Sequence, residues 1–255
     1  MAAKKNASRT LKPKTTLSSL HKPLDWPLFS RQLPTSSLSL ESLLPSQIIV
    51  IHKFWSENLC KNYVRFLKTL PLVTTGKPKK GEAVRFNDRF QINDTNFAHR
   101  LWTETGLREL ICGPDTGHDE IMNALDTENL WGGEVIGLNP NIRIYRYSKD
   151  DESSIISLET KGATTVSAVT TWTLLLYLTS PVTGCKGGET VFYPNLDLKK
   201  DQQNLALDKV EVTLETGMIL LHKHGKECLL HAKHEGKEVL EGEKWVIRTD
   251  LCVKR

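Results

Sequence analysis

Apolar residues in the first half of the chain recur at helical spacing. After Ser56, a residue type that caps helix N-termini, large apolar side chains follow every three or four positions until Pro71 ends the pattern. A second amphipathic pattern starts at Asp94 and runs toward Leu110. A third helix is predicted at residues 119–125.

From residue 134 onward the pattern changes to short apolar runs separated by glycine, proline, asparagine or aspartate turns, which is typical of strands. The predicted strands lie around residues 142–144 and at 172–179, 189–193, 210–214, 218–222 and 244–251. Strands at this density favour a β-sandwich or jelly roll with the helices covering one face, an α+β fold. The polar stretches 150–170 and 195–209 are predicted to be long loops.

The N-terminal segment differs in composition, because it is rich in serine, threonine, proline and lysine and has few large apolar residues. Such a segment cannot bury enough surface to offset the entropy cost of ordering. We therefore predict a disordered basic tail over residues 1–45 and a single domain over residues 46–255. Within that domain, residues 46–133 are expected to be a helical preface and residues 134–255 the β-rich core.

The overall composition, with 39% hydrophobic residues and a net charge of +4, is that of a globular protein. No apolar run approaches the roughly 20 residues that a membrane helix needs, so no membrane association is expected. The five cysteines stand singly, without a CxxC pair, which favours a reducing compartment. The expected location is cytoplasmic or nuclear, and a mitochondrial presequence stays open because the first 24 residues contain no acidic residue.

The candidate chemistry lies near the C-terminus, where His234 is followed ten positions later by Lys244 inside a predicted strand. Four other segments precede this pair in order: RIYRYSK (143–149), WTLLLYLT (172–179), GGETVFY (187–193) and ETGMILLHKHG (215–225). Together these features resemble the prolyl 4-hydroxylase α-subunit-like group of iron(II)- and 2-oxoglutarate-dependent dioxygenases. The likeness spans residues 135–255, and RFNDRFQIND (85–94) resembles the helical preface of a mainly fungal branch of that family.

The resemblance implies a double-stranded β-helix, or jelly roll, flanked by N-terminal helices. It also implies that His234 is the distal iron ligand, that Lys244 pairs with the far carboxylate of 2-oxoglutarate, and that Tyr147 donates a hydrogen bond to the same carboxylate. The implied cofactors are Fe(II), 2-oxoglutarate as co-substrate, and ascorbate, which keeps the iron reduced. The implied reaction couples decarboxylation of 2-oxoglutarate with hydroxylation of a C–H bond, and a prolyl residue of a protein or peptide is the expected substrate.

Physical reasoning leads to the same kind of site. An iron(II) centre that binds a chelating keto acid and dioxygen uses three protein ligands, two histidines and one carboxylate, and leaves the other positions open. A lysine that points into the interior of a β-barrel requires an anionic partner, because an uncompensated buried charge costs about 3 to 5 kcal/mol. Lys244 therefore indicates a carboxylate partner, and His234 supplies one imidazole.

One part of the family pattern is missing. Family members follow the RYSK-like strand with a segment such as GQFFxxHYD, which supplies the histidine and aspartate of an HxD pair, whereas here Lys149 is followed directly by Asp150. If a short segment is absent at this junction, through deletion, splicing or a gene-model error, Asp150 takes the place of the HxD aspartate as a metal ligand and no histidine remains. His118, in an HxE arrangement with Glu120, and the HKH pair His222 and His224 are alternative sources of a ligand.

Two functions follow from this pattern. The leading hypothesis is a prolyl 4-hydroxylase-like dioxygenase that binds iron poorly in this exact chain, because a first ligand is lost and loss of even an outer partner costs roughly 10- to 100-fold in metal affinity. No residue is assigned a catalytic role beyond metal and cofactor binding. The alternative is a non-catalytic module that binds a protein on the same fold. Nucleic-acid binding is not expected, because no interleaved aromatic and basic surface is visible.

Overall fold

The computed structural model describes residues 24–29, 35–74, 87–113, 128–149, 154–156, 168–194, 209–224 and 234–254. The α-helices that lie wholly within these ranges are α1 (Glu57–Leu67), α2 (Thr95–Glu104) and α3 (Leu107–Cys112), and residues 128–131 are also helical. The helix predicted at residues 119–125 lies outside the described residues. Each helix found in the described ranges is too short or too polar to cross a membrane.

Both predicted helix caps are present. The side chain of Ser56 accepts a hydrogen bond from the backbone N–H of Leu59 at 3.3 Å, and Asp94 Oδ1 accepts one from the backbone N–H of Phe97 at 2.8 Å. These contacts satisfy donors that the first turn of a helix leaves without partners. The second predicted helix is divided in two, because Gly106 has a φ of 81° and interrupts the α-helical backbone between α2 and α3.

The larger sheet is antiparallel and has nine strands within the described residues. Its strands, in spatial order, are β1 (Glu41–Leu44), β2 (Ile48–Ile51), β12 (Ile219–Lys223), β8 (Ala168–Tyr177), β15 (Glu243–Lys254), β6 (Asn141–Ser148), β4 (Asp88–Asn93) and β3 (Val73–Thr74), with β5 (Val135–Leu138) paired to the far end of β15. Strand β15 is the centre of this sheet, since it pairs with β6 over Glu243–Arg248 and with β8 over Val246–Lys254.

The smaller sheet faces the larger one and has four strands within the described residues. In spatial order they are β11 (Val210–Val212), β10 (Thr190–Phe192), β13 (His234–Gly236) and β7 (Ser154–Ile156). A separate two-stranded ladder joins β14 (Val239–Glu241) to β9 (Lys186–Gly187).

From β6 onward the chain passes back and forth between the two sheets. The last strand, β15, returns to lie between the first strand of this series, β6, and the third, β8. The resulting neighbours are β6–β15–β8–β12 in one sheet and β7–β13–β10–β11 in the other. This winding is that of a double-stranded β-helix, so the predicted fold class is confirmed.

The larger sheet is covered by apolar side chains on both faces. One cluster, which includes Trp172, Trp245 and Ile247, joins the outer face to the helices. The other cluster, which includes Val246 and Phe192, fills the space between the two sheets. Full burial of each such side chain contributes about 1.5 to 3 kcal/mol, so both faces of the central strand stabilise the fold.

Three features differ from the predictions. Strand β7 lies within the predicted loop 150–170. The predicted helical preface contributes β2, β3 and β4 to the larger sheet, in addition to its helices. The segment that resembles a helical preface, residues 85–94, contains strand β4, which pairs with β6 over six consecutive residues. Because β6 would otherwise present an unpaired edge there, this pairing satisfies its backbone groups.

The predicted disorder of residues 1–45 is wrong for the described parts of that segment. Trp26 is only 6% exposed, its ring centroid lies 4.0 Å from that of Phe97, and its Nε1 donates a hydrogen bond to Asp94 Oδ2 at 2.8 Å. Strand β1 also begins before residue 45. Average composition missed this contact because the residues that pack here, Trp26 with the partly buried Leu24 and Phe29, are few in a mostly polar segment.

A Trp26→Ala substitution tests whether this segment belongs to the fold. Loss of a buried tryptophan costs about 3 to 5 kcal/mol, so we expect the free energy of unfolding to fall by that amount. Denaturant unfolding followed by circular dichroism measures the change. Leu28→Ala, at a side chain that is 78% exposed in the same segment, is the matched control and should leave stability nearly unchanged. Equal stability of the two variants would contradict the packing.

Candidate functional site

The interior of the β-helix is lined by alternate residues of its central strand. Val246 belongs to the cluster between the sheets, whereas Trp245 and Ile247 belong to the cluster beneath the helices. Since side chains alternate along a strand, Lys244 and Arg248 share the inward face of Val246. The central strand therefore brings polar, charged groups into an otherwise apolar space.

Lys244 is buried at one end of this interior. Its side chain is 6% exposed, and Nζ lies 5.5 Å from the ring centroid of Tyr147 and 5.3 Å from that of Tyr177. The hydrogen bond that the structure gives to Nζ is donated to the carbonyl of Gly188 at 2.6 Å. No carboxylate of the described residues forms an ion pair with it. Burial lowers the pKa of the Lys244 ammonium from 10.5 to about 8.

Two glycines leave space beside this ammonium. A Cβ placed on Gly236 would lie 3.8 Å from Lys244 Nζ, and one on Gly188 would lie 3.1 Å from Lys244 Cδ. A larger residue at either position would occupy the volume next to the charge. The absence of these side chains leaves Nζ approachable from the side of strand β13.

His234 begins strand β13 and pairs in backbone register with Phe192 of β10 and Ile156 of β7. Its half-buried ring lies 4.9 Å, between centroids, from that of His222 and 5.5 Å from that of Phe192. His222 extends from β12 in the opposite sheet, so the histidine pair bridges the interior between the two sheets.

His234 and Lys244 face the same space between the two sheets. His234 and Gly236 are two residues apart on β13 and therefore face the same side, and Gly236 lies against Lys244 Nζ. The imidazole and the ammonium are thus separated by about one pleat of a strand, roughly 6.6 to 6.8 Å along its axis. The ten-residue spacing in the sequence produces this proximity because β13 and β15 lie in facing sheets.

The other predicted site residues have different outcomes. Tyr147, near the end of β6, is the backbone partner of Lys244 on β15, and its ring faces the ammonium. Asp150 lies outside the described residues, so its assignment as a metal ligand stays a prediction. The same holds for His118 and for Glu120.

The described residues do not supply the three-ligand iron site that the resemblance implies. No group of three or more His, Cys, Asp or Glu side chains in the described ranges could hold a metal ion. His222 is the histidine that lies beside His234, and no third histidine, cysteine or carboxylate of the described residues joins them in such a group. The three-ligand iron centre therefore does not fit these residues.

A second polar cluster lies further along the interior, and the sequence patterns did not reveal it. Arg248 and Asp250 are 4% and 0% exposed, and Arg248 Nη2 lies 3.5 Å from Asp250 Oδ1. Thr173 Oγ1 donates to the same carboxylate oxygen at 3.0 Å. Within the described residues, Arg248 Nε, Asp250 Oδ2 and His224 Nε2 are buried without a hydrogen-bond partner, so each is still able to form one more hydrogen bond.

The electrostatics of this region keep His222 neutral. Burial is the largest cause that lowers the pKa of His222 well below 6.5, followed by the neighbouring His234, Arg248 and His224. Burial likewise lowers the pKa of His224, while Asp250 opposes that shift. A neutral imidazole can donate or accept a hydrogen bond or bind a metal.

Comparisons with solved structures give low identities throughout. A viral collagen prolyl hydroxylase from Paramecium bursaria Chlorella virus-1 is 15% identical with a TM-score of 0.47, and the match covers 82% of this chain and 90% of that one. A Trichoplax adhaerens prolyl hydroxylase, in complex with a peptide fragment of the hypoxia inducible factor oxygen degradation domain, is 12% identical with a TM-score of 0.47, covering 81% and 83%.

HygX from Streptomyces hygroscopicus, with nickel, 2-oxoglutarate and hygromycin B bound, is 14% identical with a TM-score of 0.44, covering 81% of this chain and 83% of that one. No protein-family model matches the chain, and no curated protein matches it. At such identities the likeness concerns the course of the backbone and not the chemistry of this chain.

An Arg248→Met substitution tests the buried ion pair. Removing one member of a buried pair leaves the other charge uncompensated and costs about 3 to 5 kcal/mol, so we expect the unfolding free energy to fall by that amount. Adding Asp250→Asn to the same variant should recover part of the loss, because no buried charge then remains. Denaturant titration of the parent and both variants measures this. A double variant less stable than the single one would show that the two side chains act separately.

Proposed function

We propose that this chain is a member of the 2-oxoglutarate-dependent dioxygenase type and that its β-helix binds 2-oxoglutarate between Lys244 and His234. The observation that carries the proposal is a buried ammonium that forms no ion pair with a carboxylate of the described residues and that faces the same space between the sheets as a histidine. Tyr147, across the strand from Lys244, is proposed to hydrogen-bond the same end of the ligand.

The energetics favour an anion at Lys244. A buried ammonium whose described partner is a neutral carbonyl is poorly compensated, since burial penalises its charged form. A carboxylate placed beside Nζ would restore the charge balance in a low-dielectric space, where charge-assisted hydrogen bonds are strong. The space beside Gly188 and Gly236 is where such a group would fit.

One ligand can reach both residues. With one carboxylate at Lys244, a chain that follows β13 past Gly236 reaches His234 after about one pleat, roughly 6.6 to 6.8 Å along the strand. The keto-acid end would then lie beside the imidazole.

Iron, if bound, would supply oxidation of a substrate C–H bond by dioxygen, coupled to loss of carbon dioxide from 2-oxoglutarate, and ascorbate would maintain its reduced form. The expected substrate is a protein or peptide, with a prolyl residue as the hydroxylation site. His234 is the residue proposed to hold this metal, with Asp150 as the proposed carboxylate. Since no group of three or more possible metal ligands is found in the described residues, we expect weak iron binding by this chain.

The lack of a three-ligand set among the described residues favours a second candidate function. A chain that keeps the β-helix and Lys244 but not the iron ligands would act as a non-catalytic module that binds a protein or peptide in the same groove. The two candidates share the cavity and differ in whether the chain turns over 2-oxoglutarate.

The first prediction from this proposal concerns 2-oxoglutarate affinity. Lys244→Met should weaken binding by about 2 to 5 kcal/mol, more than roughly 30-fold, because the carboxylate loses its buried partner. Isothermal titration calorimetry without added metal measures the affinity. Lys254→Met, on the same strand at an exposed ion pair with Glu134, is the matched control and should bind like the parent.

The same interaction sets the pH dependence of binding. Lys244 is protonated below a pKa of about 8, so affinity should be constant there and should fall as the pH rises above 8, where binding requires uptake of a proton. Lys244→Arg, which stays charged over this range, should remove the fall. A parent affinity that does not change between pH 7 and pH 9.5, or equal binding by Lys244→Met, would refute the proposal.

A turnover assay separates the two candidate functions. Loss of a ligand should reduce iron affinity by more than the roughly 10- to 100-fold that an outer partner contributes. We therefore expect less than one turnover of 2-oxoglutarate per chain with saturating iron(II) and ascorbate, measured as released carbon dioxide. Sustained turnover that is lost in His234→Gln would instead establish the dioxygenase in this exact chain.

A further inference from the structure

We propose that Arg143 and Arg248 form a subsite for a carboxylate of the substrate, so that the chain selects peptides with an acidic residue close to the residue that is hydroxylated. The inference rests on the proposed function, because it names the class of peptide that enters the same space between the sheets. It follows from the position of two guanidinium groups on neighbouring strands, away from Lys244.

The two arginines lie directly opposite each other on the inward face of the larger sheet. Arg143 of β6 is the backbone partner of Arg248 of β15. Tyr145 and Val246, two residues away on the same strands, are also partners, and both contribute to the apolar cluster between the sheets. Side chains alternate along a strand, so the arginines share this face. Like charges directly opposite in a sheet are destabilising, and an anion bound between them would remove that cost.

The carboxylate that the described residues supply offsets one of the two cations. Asp250 Oδ1 lies 3.5 Å from Arg248 Nη2 and also accepts a hydrogen bond from Thr173. Burial lowers the pKa of His222 well below 6.5, so that ring adds no charge at neutral pH. Two guanidinium groups and one carboxylate leave a single positive charge, which suits one further carboxylate better than a dianionic phosphate.

Both guanidinium groups act on the same part of the interior. Burial is the largest cause that lowers the pKa of His224, which follows β12; Asp250 opposes this shift, and Arg248 and Arg143 add to it. The charges of both arginines therefore reach one imidazole on the far side of β8. Arg248 Nε is also buried without a partner among the described residues, so it can still donate a hydrogen bond to an anion.

This cationic pair lies level with the histidines and not with Lys244. Arg248 is four residues from Lys244 on β15, about 13 Å along an extended strand. Its Nη2 lies 3.4 Å from Thr173 Oγ1, and Thr173 is the backbone partner of His222, whose ring lies 4.9 Å from that of His234. A carboxylate at the arginines would therefore belong to a substrate that approaches His234, and not to the end of 2-oxoglutarate that Lys244 binds.

The test compares two short fluorescent peptides, one with a proline flanked by glutamates and one with glutamines in place of the glutamates. Fluorescence anisotropy with the full chain, at low ionic strength and without metal, measures both affinities. The parent is expected to bind the glutamate peptide at least about 10-fold more tightly, since hydrogen bonds to charged groups are the stronger ones. Arg143→Gln should remove most of this preference, and Arg143→Glu should reverse it in favour of a peptide with lysines at the same positions.

Two variants serve as controls. Arg89→Gln makes the same change of charge at an exposed arginine of β4 and should keep the preference. Arg143→Lys keeps the charge and should retain most of the preference, which separates the loss of a cation from a disturbed fold.

Equal binding of the two peptides by the parent would overturn the inference whether or not the variants fold, and so would an unchanged preference in Arg143→Gln. A preference that is lost in Lys244→Met and kept in Arg143→Gln would place the carboxylate at the lysine and would also overturn it. Binding of 2-oxoglutarate together with equal binding of the two peptides would reject this inference alone. The expected peptide preference without 2-oxoglutarate binding would reject the proposed function alone.

Discussion

The structure depends on one strand, β15, that is buried on both faces and chemically different on each. Its outward residues, including Trp245 and Ile247, attach the larger sheet to the helices, and its inward residues carry an ammonium and an ion pair into the space between the sheets. Because side chains alternate along a strand, a shift of its register by one residue would exchange these sets and place two cations against the helices. Folding and site assembly are therefore set by the same register.

This arrangement explains which parts of the site the sequence could reveal. The proximity of His234 and Lys244 follows from their ten-residue spacing across a short connection, which is a local property of the chain. Arg248 and Asp250 were missed because polar residues that alternate with apolar ones usually mark a solvent-facing side. When both faces of a strand are buried, the alternation of polar and apolar residues shows that the two faces differ. It does not show that the polar face points into the protein interior.

The sequence predicted a larger part of the fold than of the candidate site. Helix caps at Ser56 and Asp94 are local hydrogen-bonding patterns, and the strand runs after residue 134 are distinct in sequence. Composition could not predict that the segment around Trp26 is ordered, since the partners of Trp26, Phe97 and Asp94, are far along the chain. Strand β4 likewise depends on a distant partner, β6, whose edge it covers, and the division of the second helix depends on the backbone of Gly106.

The two ends of the proposed ligand path are anchored in sheets of very different size. Lys244 belongs to β15, which is paired on both sides in the nine-stranded sheet, whereas His234 belongs to the four-stranded sheet of the described residues. Local opening of a protein begins where few backbone bonds and few apolar contacts must be broken. Amide hydrogens of β13 should therefore exchange with solvent well before those of β15, so the cavity opens from its histidine side while its lysine side stays closed. Ligands would then enter and leave past the imidazole, and the ammonium would bind the end of the ligand that lies deepest in the protein.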